Sequence, residues 1–343
     1  ALIDGSFPIV DTDDVLLNAL TTTFDATLSG VFVSDIINAD DTTLNLDLEG
    51  IAYSATGGLW LCSEGAGTVG DAERPVTKPN MLLKVGSDGA VTAAYFLPAE
   101  LNAVQLRFGF EGVAEDGNYA VITMQRAWNG EPNPRIAIYD TVEEMWYFVY
   151  YPLDAPESQN GGWVGLSDIA PLGGGNFMVL ERDNQGGPDA AIKRLYTITL
   201  DFDTIKASES PIALEKASES LITVEKTLWR DLIAEGDMTM TNGLVIEKVE
   251  GLAVTSTGAV YINTDNDGVD DNSGEQLLAQ VGTFEGFPPT DAPAPTDAPE
   301  PTASVAAAPT DAPEPSAAVV TTSCCSISIL IFIIVSATTM YIV

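Results

Sequence analysis

One 17-residue pattern occurs four times in this chain and restricts its fold more than any other feature. The copies are LEGIAYSATGGLWLCSE (48–64), FEGVAEDGNYAVITMQR (110–126), LSDIAPLGGGNFMVLER (166–182) and VEGLAVTSTGAVYINTD (249–265). Each opens on an apolar residue and runs through a short apolar strand. It then turns at glycine and closes with a second apolar strand that ends in polar or charged residues. Glycine supplies the positive φ that a tight turn needs, so each copy reads as a β-hairpin.

The copies begin at residues 48, 110, 166 and 249, that is 62, 56 and 83 residues apart. Those gaps leave room for further strands, and PRIAIYD (134–140), EMWYFVYY (144–151) and KRLYTITLDFD (193–203) have the composition for it. Only Asp13–Thr23 and Trp229–Glu235 carry helical patterning. A recurrent hairpin with Gly turns and no long helix predicts an all-β domain built by radial repetition. Blades of about 40–50 residues would make residues 1–287 a β-propeller of six or seven blades. A duplicated Lys-Ala-Ser-Glu-Ser at 206–210 and 216–220 reads as a surface insertion.

In a propeller, equivalent repeat positions converge on one axis. The opening acids Glu49, Glu111, Asp168 and Glu250 are therefore expected to form a carboxylate ring. Glu64, Arg126, Arg182 and Asp265 recur at the closing end of the four copies. Like charges this close are costly unless a cation or an arginine sits among them. The chain holds 14 Lys and Arg against 50 Asp and Glu, a net charge of −36, and has no histidine. Histidine-based acid–base and nucleophile chemistry is thereby excluded, and nucleic acid is disfavoured as a partner. The abundance of oxygen ligands points to Ca²⁺, with Mg²⁺ as the second choice. Asp265-Asn266-Asp267-Gly268 also resembles the start of a calcium loop, although an Asx-rich turn explains it as well.

Leu48-Glu49-Gly50-Ile51-Ala52, Phe110-Glu111-Gly112-Val113-Ala114, Val179-Leu180-Glu181-Arg182-Asp183 and Val249-Glu250-Gly251-Leu252-Ala253 together resemble the esterase-like phytase family. The resemblance covers roughly residues 28–284 and implies a propeller whose acids act on phosphoesters. Carried onto this chain, it makes Glu49, Glu111, Glu181, Asp183, Glu250, Asp265 and Asp267 the candidate acids. Metal ligands are expected among Glu49, Glu111, Asp168, Glu250, Asp265 and Asp267. Catalytic roles are expected for Glu111, Glu181, Asp183, Arg126 and Arg182, the arginines holding a small anionic phosphoester. A monomer is expected. The alternatives are a calcium-dependent lactonase-like hydrolase and a calcium-stabilised adhesion module using Trp128, Trp146 or Trp163, although blade packing accounts for these tryptophans.

Residues 288–326 read as a disordered Pro/Thr/Ala-rich stalk, with Pro-Thr-Asp-Ala-Pro starting at 289, 295 and 309. Residues 327–343 form an apolar tail. No Lys or Arg follows it, and Ser316-Ala317-Ala318 offers a small-residue attachment site, so a GPI signal fits better than a spanning helix. An extracellular protein held at the cell surface is expected, touching membrane only through this tail.

Overall fold

The computed structural model describes residues 6–8, 37–38, 43–128, 130–208, 221–239, 245–265 and 276–286. The expected helix at Asp13–Thr23, Asp267, the stalk and the apolar tail lie outside the described residues. Strands β1 (Ser6–Pro8), β2 (Ile37–Asn38) and β3 (Thr43–Asn45) form a small antiparallel sheet in the order β1-β3-β2.

Four larger antiparallel sheets follow, each a meander in chain order. The first is β4 (Leu48–Tyr53), β5 (Leu59–Ser63), β6 (Met81–Val85) and β7 (Val91–Phe96). The second is β8 (Phe110–Asp116), β9 (Tyr119–Met124), β10 (Arg135–Asp140) and β11 (Met145–Tyr150). The third is β12 (Val164–Gly173), β13 (Asn176–Asp183), β14 (Lys193–Thr199) and β15 (Lys226–Asp231). The fourth is β16 (Val249–Val254), β17 (Ala259–Thr264) and β18 (Leu278–Thr283). Every repeated hairpin supplies the first two strands of one sheet. The inner strands pack side by side in the sequence β4, β8, β12, β16, which gives a propeller-like arrangement.

The described residues thus make four blades, where six or seven were expected. The interval between repeats holds one blade with long connections, such as residues 64–80 between β5 and β6 and residues 200–225 between β14 and β15. Average blade length is a poor ruler when loops are this long. The helix expected at Trp229–Glu235 is also corrected: Trp229 to Asp231 finish β15, and a turn follows. Pairing with β14 satisfies the backbone there better than an isolated helical turn would. The helices among the described residues are short, α1 (Ala99–Asn102) and α2 (Phe202–Ala207).

The core lies between successive blades. Trp60, Cys62 and Leu82 of blade 1 meet Phe110, Ile122 and Phe148 of blade 2. Val121, Ile136 and Val149 of blade 2 meet Leu166, Phe177 and Ile198 of blade 3. Met178, Leu180 and Leu195 of blade 3 meet Leu252, Ile262 and Val281 of blade 4. Trp128 is buried in the first of these interfaces and Trp146 packs against it, in accord with blade packing.

Each inner strand carries a β-bulge at the same repeat position. Pairing jumps from Leu48↔Ser63 to Gly50↔Cys62, from Phe110↔Met124 to Val113↔Ile122, from Leu166↔Glu181 to Asp168↔Leu180, and from Val249↔Thr264 to Gly251↔Asn263. A bulge re-aims one side chain out of the ladder. The residue after it must then lie against the next blade. A Cβ on Gly50 would sit 2.6 Å from the Glu111 carbonyl oxygen and 2.8 Å from the Val113 nitrogen. A Cβ on Gly112 would sit 2.7 Å from the Ile169 nitrogen. Gly112→Ala is therefore expected to destabilise the protein by about 1–3 kcal/mol through overpacking. Urea unfolding followed by circular dichroism checks this, and an unchanged midpoint would refute the close approach.

Candidate metal and anion site

The bulges aim Glu49, Glu111 and Glu250 into one another's field. Burial, then repulsion from Glu49, Glu64 and Glu250, drives the Glu111 carboxyl well above the usual carboxylate range, while Arg182 pulls it back. Glu49 remains solvent-accessible although crowded by protein, as in the wall of a channel. Reduced hydration and repulsion from Glu64, Glu250, Asp47 and Asp265 raise it as well. Glu111 is buried and accepts a hydrogen bond at Oε1 from Nε2 of Gln125.

The fourth expected ring acid is not in this group. Counting along the bulges, Ser167 occupies the position of the three glutamates, and Asp168 occupies that of the glycines. Asp168 therefore points at the next blade, where its carboxylate accepts N–H groups from Leu252 at 2.7 Å and Ile169 at 2.8 Å. Removal from water raises its carboxyl to about 8, and these two N–H bonds oppose that rise. The vacated ring position is filled from β13. Arg182 donates from Nε to Ser167 Oγ at 2.9 Å and from Nη2 to Glu250 Oε1.

Alternation along β13 turns Glu181 and Asp183 away from the side that Arg182 occupies. Glu181 is fully buried, 2.6 Å from Lys226 Nζ, and accepts the Asp154 N–H at 2.7 Å. Asp183 pairs with the buried Lys193 at 2.7 Å and accepts the N–H groups of Ala191 and Ile192. Both accept backbone N–H groups of neighbouring loops and are paired with lysines. Asp265 does belong to the group: it acts on Glu49 and lies 4.0 Å from Lys248. Asp267 lies outside the described residues.

Asp47 lies outside the repeat, and Glu64 stands in it only as a recurring strand-end charge. One ligand oxygen from each of Asp47, Glu49 and Glu64 lies within 4.8 Å of the other two. Asp47 and Glu49 are two apart on an extended chain and so share a face. That signal was present in Asp47-Leu48-Glu49-Gly50, but the other repeats carry Gly109, Gly165 and Lys248 there, so the repeat obscures it. Glu64 accepts the Gly109 N–H at 3.0 Å and is also held by the Phe108 backbone. Asp47 is 3.3 Å from Lys78.

A band of arginines and aromatics borders the acids. The Arg107 and Arg126 guanidiniums lie 4.3 and 4.7 Å from the Phe108 ring centre. Arg126 and Arg182 lie 5.0 and 5.6 Å from that of Trp163. A cavity of about 1070 Å³ elsewhere, lined by Leu172, Thr197, Ile198, Ile222 and Phe284 among others, contains none of these groups.

Burial raises Glu64 from its ordinary 4.5 to about 7, with Asp47 adding to the rise and the N–H bonds opposing it. A carboxyl raised on folding holds an extra proton in the folded state, so its contribution to stability falls as pH rises from about 4.5 to about 7. Glu64→Gln removes that slope. The unfolding free energy of the variant minus that of wild type, in metal-free buffer, is expected to increase across this window and level off above it. A difference flat in pH would contradict the loss of hydration at the half-buried Glu64.

A search of curated proteins finds no match to this chain. The family model for phytase-like proteins, described as esterase-like activity of phytase, matches residues 4–268. That span takes in all four repeats and the acids they bring together, and the chain belongs to the phytase-like family.

Proposed function

We propose that this protein is a calcium-dependent phosphoester hydrolase whose reaction centre is the carboxylate group at the inner strands. The observation that carries the reading is the convergence of Asp47, Glu49 and Glu64, with oxygens within 4.8 Å, beside Glu111 and Glu250. Three carboxylates at this spacing are hard oxygen donors of the kind Ca²⁺ takes, and their mutual repulsion is relieved by a cation. Asp47, Glu49 and Glu64 would hold the ion, with Asp265 and Glu250 facing Glu49; Mg²⁺ is the second choice. When bound, such an ion polarises phosphoryl oxygens and lowers the pKa of a water.

The chain's own residues supply the rest. Glu111 is the proton acceptor. Its Oε1 is engaged by Gln125, which leaves Oε2 to take a proton from an attacking water. Burial and the neighbouring glutamates raise its affinity for protons, the direction a general base requires. Arg126 orients the phosphate, and Arg182 positions the Trp163 ring against which both guanidiniums lie. Arg182 is fixed for this by Ser167 and Glu250. An extracellular, surface-held location is part of this reading. It is supported by the Pro-rich and apolar segments of the sequence, while among the described residues no helix is long and apolar enough to cross a membrane.

The test is phosphate release from a panel of phosphomonoesters and diesters, with Ca²⁺ and with EGTA. Chelation is expected to abolish turnover. Glu111→Gln is expected to lower kcat by at least about 100-fold, the ordinary contribution of a general base. Activity indifferent to both would remove this mechanism.

A further inference from the structure

Positive charge is scarce in this chain, and among the described residues most of it is paired with carboxylates. Among the described lysines and arginines only Arg74, Arg107 and Arg126 have no carboxylate within 4.0 Å. Two of the three are placed together over one ring, that of Phe108. They repel each other, and burial and this repulsion weaken the hold of Arg126 on its proton. In a protein of net charge −36 a neighbouring acid would be easy to supply. Glu64 is the acid that feels Arg107, yet it pairs with neither guanidinium and is held by the Gly109 N–H, and a pair left without a contacting carboxylate favours an anion from outside.

The backbone between them is strained to hold this arrangement. Phe108 has φ 72°, a left-handed conformation that a bulky residue rarely adopts. It is retained because both sides are tied. The Gly109 N–H goes to Glu64, and the Phe108 carbonyl accepts the Trp128 indole N–H at 3.2 Å. Neither guanidinium donates to another group among the described residues, so their N–H groups remain available for a planar, two-pronged contact. Arg182 differs, because its N–H groups already go to Ser167, the Asp183 carbonyl and Glu250.

We propose that Arg107 and Arg126, carried on Phe108 and Trp163, form the binding position for a tetrahedral oxyanion of the phosphate class, with Arg182 serving as a positioning residue. The identity of the anion rests on the phosphoester reading above. Arg107 stands three residues before the second repeat, which explains why the repeat does not reveal it.

Calorimetric titration of inorganic phosphate into the purified protein at saturating Ca²⁺ tests this. Arg107→Ala and Arg126→Ala are each expected to weaken phosphate binding by at least about tenfold, the loss of one charge-assisted contact. Arg107→Lys is expected to fall between wild type and Arg107→Ala. Arg230→Ala removes the same charge from the outer strand β15 and is expected to change binding by less than about twofold, since the two sites share no contact. Arg107→Ala binding like wild type would overturn the proposal. So would Arg230→Ala binding as weakly as Arg107→Ala, or wild type taking up no phosphate. Arg107-dependent phosphate binding without hydrolysis of any ester would uphold this site and remove the proposed reaction. Hydrolysis that persists with Arg107-independent phosphate binding would do the reverse.

Discussion

Neighbouring inner strands approach one another at Gly50 and Gly112 with no room for a side chain, and the remaining architecture is arranged around that approach. A β-bulge precedes each contact. It lifts one glutamate out of the ladder and sets the following residue against the next blade. The carboxylates meet because the backbones meet. In blade 3 the two roles exchange chemistry: Ser167 takes the lifted position, and Asp168 faces blade 4. The blade contact survives the exchange because Asp168 accepts a backbone N–H where the other blades rely on bare closeness.

Bringing acids together in a chain of this charge raises an electrostatic problem that the fold answers locally. Arg182 neutralises Glu250, Gln125 donates to Glu111, and the backbone of Phe108 and Gly109 donates to Glu64. What is left over is a group of carboxylates with raised proton affinity and a matching need for a cation. Beside it stands a pair of arginines with the opposite need. The two are joined through one short segment, since Glu64 holds the backbone that presents Arg107 and Phe108.

Other ionic clusters of the molecule are complete in themselves. Glu181 with Lys226 and Asp154, and Asp183 with Lys193, satisfy their charges within the third blade. A resemblance in sequence made both acids candidates for chemistry. The alternation of a strand is enough to separate them from Arg182, one residue away.

Sequence alone determined that the chain is built from a repeated hairpin, because glycine turns and alternating apolar runs have few other solutions. It also determined that Glu49, Glu111 and Glu250 are equivalent, since Glu-Gly recurs in phase at these three positions. Tertiary structure decided the number of blades among the described residues, because loop length is free of the periodicity that marks strands. It decided that Asp168 leaves the group, since a bulge shifts register by one residue and one residue reverses the direction of a side chain. It also brought in Asp47 and Arg107, which lie outside the repeat. Their place depends on which segments the closed-up strands push together, a long-range fact that no local pattern records.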